Sequence, residues 1–196
     1  MAARLPAAAR RRQLLEVAER TFAGRGFHDA SMNDIAEAAG VTKPVLYQHF
    51  RSKRGLYLAA LHDVGDRLRL TIDKATADAG SPREQVLAGI VAYFRFVADH
   101  DGAFDLLFGG GNRNDPEFDE AARAVEATLA RLVAERIDVE DLEPARRELF
   151  GHAVVGLVEG AGRHWLTTGR PVPPEAAAAA VAGLVWAGLR GIGSGA

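Results

Sequence analysis

Apolar residues recur every three or four positions along most of this chain, the spacing that places them on one face of an α-helix. Leu14, Ala18 and Phe22 form such a stripe on a first helix predicted over about residues 8–24. Alternating β-branched runs bounded by turns, which would indicate strands, are nearly absent. The pattern therefore predicts an all-α protein of about nine helices.

Residues that start or stop helices divide this pattern into segments. Ser31 is a favourable N-cap, and Asp34 follows near the positive end of the helix that Ser31 begins. Gly40 can adopt the left-handed conformation that ends this helix, and Thr42 begins the next one. The later helices are predicted to begin near Ser52, Ser81, Ala103, Asp115, Pro144 and Pro173.

Residues 31–53 predict two short helices joined by a tight turn that contains Gly40. Ile35 provides an inward-facing side on the first helix, while Leu46 and Phe50, four residues apart, provide one on the second. This arrangement is typical of a helix-turn-helix unit, which places its second helix in the major groove of DNA. A generic helical hairpin with a polar outer face is the alternative interpretation.

The outward positions of this unit have side chains suited to DNA. Hydroxyl groups can donate to phosphates, a lysine can reach a phosphate or a guanine edge, and apolar atoms can touch a thymine methyl group. A glutamine can contact a base, and a lysine at the start of a helix can bind a phosphate there. The DNA-binding candidates are Arg10, Ser31, Thr42, Lys43, Pro44, Val45, Tyr47, Gln48, His49 and Lys53.

The charge distribution favours the DNA interpretation. Residues 1–54 contain ten lysines and arginines against five aspartates and glutamates, although the formal net charge of the whole chain is -2. A basic segment indicates a polyanionic partner, and the acidic remainder of the chain would be repelled by that partner. The two parts of the chain are therefore expected to have different roles.

The composition is that of a globular protein, with 196 residues of which 48% are hydrophobic and 26% charged. There is no cysteine, which excludes disulfides, thiolate metal sites and a cysteine nucleophile. Residues 1–12 contain no apolar core like that of a signal peptide, and no uncharged apolar stretch reaches the length of a bilayer span. We therefore expect a cytoplasmic protein with no membrane contact.

The sequence contains no recognisable catalytic motif. None of its four serines lies in a nucleophile-elbow pattern, and the six histidines show no metal-ligand spacing. Three glycines at residues 109–111 are followed by Asn112 rather than by the Gly-Lys-Ser/Thr of a phosphate-binding loop. No catalytic residue, metal or cofactor is therefore predicted, and a helical enzyme is the less favoured alternative.

Aromatic residues in the C-terminal part can line a small-molecule pocket that has few polar groups. The ligand-binding candidates are Phe94, Phe104, Phe108, Phe118, His152 and Trp165. Packing of these side chains in an ordinary core is the alternative. The residues do not indicate which small molecule would be the effector.

The last two predicted helices are rich in small residues, among them Gly156, Gly160 and Gly183. Glycine inside a helix costs roughly 1 kcal/mol relative to alanine, so several of them indicate close approach between helices. A two-fold interface between two copies of the chain would use this surface, and a homodimer also supplies two recognition helices. Packing within one subunit is the competing explanation.

Residues 31–53, SMNDIAEAAGVTKPVLYQHFRSK, closely resemble the N-terminal region of TetR-family regulators. The distinctive features are Ile-Ala followed by Ala-Gly-Val-Thr, and then Leu-Tyr-x-His-Phe and Ser-Lys. The resemblance implies that Tyr47, His49 and Lys53 bind phosphates and that residues 42–45 read bases.

The resemblance extends over about residues 10–61 and implies a tail at 1–9, a helix-turn-helix domain at 10–55 and a ligand-binding and dimerisation domain at 56–196. It implies a dimeric repressor that a small molecule releases from a near-palindromic double-stranded operator. A regulator without a small-ligand response is the alternative. Many family members have glycine where this chain has Pro44. Because proline disfavours helical geometry in the preceding residue, we expect the start of the recognition helix to be shifted by one residue.

Overall fold

The computed structural model describes residues 6–100, 102–109 and 114–192, and these residues form nine α-helices and no strand. The helices are α1 (Ala7–Asp29), α2 (Met32–Ala38), α3 (Lys43–His49), α4 (Lys53–Ala77), α5 (Pro82–Asp99), α6 (Ala103–Phe108), α7 (Pro116–Ala134), α8 (Pro144–Thr167) and α9 (Pro174–Arg190). The predicted all-α fold of about nine helices is confirmed.

The chain divides into two compact units. The first contains Met1–Gly65 together with Asp101–Ala122, and the second contains Asp66–His100 together with Arg123–Ala196. The helix-turn-helix segment therefore shares a unit with α6, which follows it by about fifty residues. The domain limits expected at residues 9 and 55 stay predictions.

The serines that begin helices in the sequence pattern also cap helices in the structure. The hydroxyl oxygens of Ser52 and Ser81 accept hydrogen bonds from the backbone N–H groups of Gly55 at 3.0 Å and of Glu84 at 3.3 Å. Each bond satisfies one of the N–H groups that the first turn of a helix leaves without an intrahelical partner. The predicted starts of α4 and α5 are confirmed.

The first helix is longer than its predicted span. It begins at Ala7, so the last residues of the expected N-terminal tail are helical, while residues 1–5 lie outside the described part. At its other end Gly24 stays within the helix, and the break comes at Gly26, which has φ +76° and ψ 165°. A glycine can remain helical at a modest cost, so the presence of Gly24 alone did not end the helix.

Buried apolar stripes form the core of the first unit. Leu14 and Phe22 of α1, Ile35 of α2 and Leu46 of α3 are all buried. The first helix contacts both α2 and α6. This packing holds the helix-turn-helix segment on α1.

In the second unit, α5 packs along α9, and α8 contacts both. Two glycines of α8 permit close approach inside this unit. A β-carbon on Gly162 would lie 2.6 Å from the Tyr93 hydroxyl oxygen, and one on Gly151 would lie 2.3 Å from the Ala130 carbonyl oxygen. The competing explanation for small residues, packing within one subunit, therefore applies to these two positions.

Candidate DNA-binding surface

The turn between α2 and α3 has the geometry that a helix-turn-helix requires. Gly40 adopts φ +64°, which is accessible to glycine but unfavourable for residues with a β-carbon. The chain then reverses so that the N–H of Val41 donates to the Ala36 carbonyl at 2.9 Å. The second helix of the unit is thereby fixed against the first.

The recognition helix starts at Lys43, with Pro44 as its second residue. The expected shift of this start by one residue was wrong. The N–H groups of Val45 and Leu46 donate to the Thr42 carbonyl at 3.0 and 3.2 Å, so the first turn is intact. Proline is tolerated because the first turn of a helix has no acceptor for the N–H that proline lacks.

Most of the predicted DNA-binding residues lie together on the outer side of α3. Leu46 points into the core, while the positions around it are open to solvent. Tyr47 is 46% exposed. The exposed residues are Thr42, Lys43, Pro44, Tyr47 and Gln48, and the half-buried ones are Val45 and His49.

The start of α1 lies beside the turn of the helix-turn-helix. Arg10 donates through Nη1 to Gln13 Oε1 at 2.6 Å, and Gln13 donates in turn to the Ala39 carbonyl at 3.3 Å. The guanidinium of Arg11 lies 4.8 Å from the centre of the Phe50 ring. The structure therefore places Arg10 and Arg11 beside the helix-turn-helix, near Ala39 and Phe50.

Ser31 lies at the other end of α2, where it is the N-cap of that helix. Its hydroxyl donates to Asp34 Oδ2 at 2.6 Å and accepts from the Asp34 N–H at 3.2 Å, while its own N–H donates to the same carboxylate at 2.9 Å. Hydrogen bonds from Ser31 hold the pKa of Asp34 below its ordinary value, and Arg25, 3.1 Å away, acts in the same direction. This is the predicted cap in the form of a capping box.

Lys53 has an environment that the sequence did not reveal. Its Nζ donates to the carbonyl oxygens of Phe27 at 2.7 Å, His28 at 3.0 Å and Ala30 at 2.8 Å. The same Nζ lies 4.5 Å from the centre of the Phe27 ring. The ammonium group is therefore engaged with the end of α1 in this structure.

Arg54 is a residue that the sequence analysis missed. Its Nη2 donates to both carboxylate oxygens of Asp115 at 2.7 Å, its Nε donates to Glu117, and its guanidinium lies 4.7 Å from the centre of the Phe118 ring. The hydrogen bonds raise the pKa of Arg54 and lower that of Asp115. The two residues are about sixty positions apart, and local sequence patterns do not indicate which distant carboxylate an arginine will bind.

The predicted ligand-binding residues fall into two groups, one in each unit. Phe104, Phe108 and Phe118 belong to the first unit, and Phe94, His152 and Trp165 belong to the second. The spacing along the chain gave no indication of this division.

In the first unit, the rings of Phe104 and Phe108 are 5.2 Å apart. The ring centroid of Phe118 lies 4.7 Å from that of Phe27 and 4.3 Å from that of Tyr57, so these three rings form one aromatic cluster in the first unit. All three of the predicted phenylalanines in this unit are buried.

In the second unit, Phe94 packs edge-on against Trp165 with ring centroids 5.5 Å apart, and both are buried. The indole N–H of Trp165 donates to the Val172 carbonyl at 2.8 Å. Next to Phe94, burial raises the pKa of the Tyr93 hydroxyl, and the negative charge of Glu159 acts in the same direction. His152 is exposed on α8.

A groove of about 560 Å³ lies between α1 and α2. It is lined by Val17, Arg20, Thr21, Gly24, Arg25, Asp34 and Ala38, none of which was a predicted ligand-binding residue. Within the described residues, no group of three or more histidines, aspartates and glutamates is arranged to hold a metal ion. No helix in the same part of the chain is long and apolar enough to cross a membrane.

An all-helical chain whose helix-turn-helix presents an exposed second helix has the architecture of a helix-turn-helix DNA-binding protein. The sequence profile of bacterial regulatory proteins of the TetR family matches residues 14–60. The profile of the tetracyclin repressor-like C-terminal domain matches residues 82–188. The chain belongs to the TetR family and is a DNA-binding transcriptional regulator.

Individual relatives agree with this assignment. The HTH-type transcriptional activator FasR of Mycolicibacterium smegmatis is 33% identical over 187 residues, which cover 95% of this chain and 85% of that protein. The crystal structure of a TetR-like transcriptional regulator from Rhodococcus sp. RHA1 is 32% identical, with a TM-score of 0.76 over 96% of this chain and 100% of the other.

A crystal structure of FadR from Bacillus subtilis in complex with stearoyl-CoA is similar in fold. It has a TM-score of 0.71, covering 89% of this chain and 96% of that one. Because the two sequences are only 16% identical, this similarity shows the fold alone.

Proposed function

We propose that the protein is a homodimeric repressor that holds a near-palindromic operator and releases it when a small molecule binds. The observation that carries the proposal is the outer face of α3, where polar and cationic side chains are exposed around a buried Leu46. Two such helices, placed about one DNA turn apart, would enter successive major grooves.

The residues of this face divide into two roles. The first turn of α3 lies nearest the bases in a docked helix, so Pro44 and Val45 read the sequence, with Gln48 on the next turn. Lys43, at the start of the helix, binds a phosphate. Tyr47 and the other hydroxyl and imidazole groups, those of Thr42 and His49, bind phosphates and set the register. Arg10, at the start of α1, adds a phosphate or minor-groove contact.

Dimerisation is supported by an apolar face on the last two helices. Leu149 and Leu184 are each 63% exposed, and β-carbons added to Gly156, Gly160 or Gly183 would meet nothing within 4 Å. These glycines are therefore not required for packing inside the subunit. The exposed residues of the face are Leu149, Ala153, Gly156, Leu157 and Gly160 on α8 and Ala176, Ala180, Gly183, Leu184 and Ala187 on α9. A second copy related by a two-fold axis would cover this face.

The effector is proposed to bind in the second unit, beside the buried aromatic residues Phe94 and Trp165. The match to the tetracyclin repressor-like C-terminal domain supports a regulatory role for the second unit. Stearoyl-CoA, bound by the FadR of similar fold, is a practical first probe. A ligand shifts DNA occupancy only as far as it binds one conformation better than the other.

A second regulatory mode is favoured by one observation. FasR, which is 33% identical to this chain, is named an activator. An activator has the same DNA-binding surface and dimer, but it raises transcription when bound to its site. A regulator without a small-ligand response is a further alternative. All of these would act in the cytoplasm and would have no enzymatic activity.

Selection from a random duplex pool tests the DNA-binding half of the proposal. The full-length protein is expected to enrich a near-palindromic site whose half-sites lie about one helical turn apart. A reporter fused to that site then measures the sign of regulation, with repression expected. Enrichment of no sequence would count against the proposal, and increased transcription would favour the activator.

Stearoyl-CoA, added in a thermal-shift and a DNA-binding experiment, tests the ligand half. The expected result is a higher unfolding temperature and weaker operator binding in the same concentration range, because the ligand favours one folded conformation. A panel of other small molecules follows if this probe has no effect. A panel without any response supports the regulator that has no small-ligand response.

A further inference from the structure

We infer that Lys53 is a positioning residue, whose ammonium group fixes the corner between α1 and α2 to the first turn of α4, rather than a phosphate ligand. The inference rests on the proposed DNA-binding function and gives this residue a different role within it. All the groups involved belong to the first compact unit.

All three N–H donors of the Lys53 ammonium group are used in hydrogen bonds. A lysine ammonium carries three N–H donors, and in the structure three carbonyl oxygens lie at 2.7, 3.0 and 2.8 Å from Nζ. The Phe27 ring, 4.5 Å away, covers another side of the charge. To bind a phosphate, the side chain would have to give up one or more of these contacts.

The three carbonyls are available because α1 breaks at Gly26. In an unbroken helix, the carbonyls of Phe27 and Ala30 would accept from the N–H groups of Ser31 and Asp34. The capping box of α2 uses both of those N–H groups, which donate to Asp34 Oδ2 and to Ser31 Oγ. Lys53 therefore supplies the donors that this corner lacks, and its positive charge is favourable at the end of a helix.

The corner matters for DNA binding because it leads directly into the helix-turn-helix. α2 begins two residues after Ala30, and the turn between α2 and α3 is closed by the hydrogen bond from Val41 to Ala36. Lys53 thus ties the start of the recognition unit to α4. Loss of the three hydrogen bonds from Lys53 Nζ would leave α2 and α3 folded but less firmly placed. DNA binding would then be weaker, because a binding site must hold its contacts within a fraction of an ångström.

The dependence of DNA affinity on salt separates positioning from phosphate contact. Removing one phosphate-binding lysine lowers the slope of log affinity against log salt by about one. Lys53→Met keeps the length of the side chain and removes the charge. We expect it to weaken operator binding about tenfold, as for the loss of one hydrogen bond to a charged group, with the slope unchanged. Lys43→Met, at an exposed position of α3, is the control and should lower the slope by about one.

Amide hydrogen exchange of the DNA-free protein provides an independent test. Lys53→Met is expected to speed exchange in α2 and α3, whereas Lys43→Met should leave it unchanged. Lys53→Arg, whose guanidinium can also donate to several carbonyls, should restore most of the protection and of the affinity. If Lys53→Met does not fold, Lys53→Arg and Lys53→Gln are compared in the same two experiments, and the glutamine variant should lose more protection.

The inference is overturned if Lys53→Met lowers the salt slope by about one while exchange in α2 and α3 stays as in the wild type. Absence of salt-dependent DNA binding in the wild type would contradict the proposed function instead. In that case the exchange experiment alone tests Lys53: unchanged exchange in α2 and α3 of Lys53→Met would overturn its positioning role. The two failures are therefore distinguishable.

Discussion

The guanidinium of Arg54 binds the carboxylate of Asp115 through a single nitrogen, with Nη2 at 2.7 Å from both carboxylate oxygens. This contact joins the first turn of α4 to the segment that enters α7. Arg54 follows Lys53 in the sequence, so adjacent cations at the start of one helix bind two different parts of the chain. The start of α4 is therefore a junction within the first unit.

Asp115→Asn is expected to reduce stability at neutral pH and less so in acid. Arg54 lowers the pKa of Asp115, so the contribution of the pair is fully present above the ordinary carboxyl pKa. It is lost as the pH falls through the lowered pKa of the folded state. Urea unfolding of the wild type and the variant, from pH 7 downward, should give midpoints that converge as the pH decreases.

Asp66→Asn is the control for this prediction, because Asp66 is exposed on the same helix as Arg54. Exposed ion pairs contribute little on average, so only the difference between the two variants is informative. A gap between wild type and Asp115→Asn that does not change with pH would show that the pair does not form in solution.

Gly40→Ala is expected to destabilise the protein by roughly 1 kcal/mol, because alanine must adopt φ +64° at the turn. Gly24 is the matched control. It lies within α1, and a β-carbon there would meet nothing within 4 Å. Gly24→Ala should therefore stabilise the protein by up to about 1 kcal/mol through helix propensity. Denaturant unfolding of both variants measures the two effects, and equal signs would contradict the assigned turn.

These glycines show how far the sequence specified the fold. Three or four apolar positions per two turns, with serine and proline at helix starts, were enough to predict every helix. The position of the break in α1 was not predictable, since Gly24 and Gly26 are equally able to end a helix. In the structure Gly26 is the residue that adopts the non-helical conformation.

Ser31→Ala should cost about 1 kcal/mol of stability, because it removes the hydroxyl that caps α2. Ser31→Thr retains a capping hydroxyl and should lose much less. The salt slope of operator binding is expected to be the same for both variants. A variant that keeps full stability but binds DNA less tightly would assign Ser31 to a phosphate contact instead.

Leu184→Arg is expected to convert the dimer into folded monomers, because a charge replaces an exposed leucine at the centre of the proposed interface. Leu70, which is 54% exposed on α4, provides the control Leu70→Arg. Sedimentation velocity measures the oligomeric state, and circular dichroism verifies folding. Should both variants stay dimeric, the interface lies elsewhere.

The candidate site was predictable in part. The exposed face of α3 follows from a local pattern, in which Leu46 and Phe50 set which side is buried. The partners of Lys53 and Arg54 were not predictable from the sequence pattern, because each partner lies more than twenty residues away. A single lysine or arginine in a sequence does not indicate which distant carbonyl or carboxylate it will contact. The division of the aromatic residues between two units likewise depends on tertiary packing, which spacing along the chain does not record.

The outer face of α3 is proposed to read an operator. The most direct test is the affinity of the full-length protein for the selected duplex and for a scrambled duplex of equal length, across a salt series. Log affinity is expected to fall linearly with log salt for both duplexes, with the selected site bound about a thousandfold more tightly or better. Equal affinity for the two duplexes, or binding that does not respond to salt, would contradict the proposal.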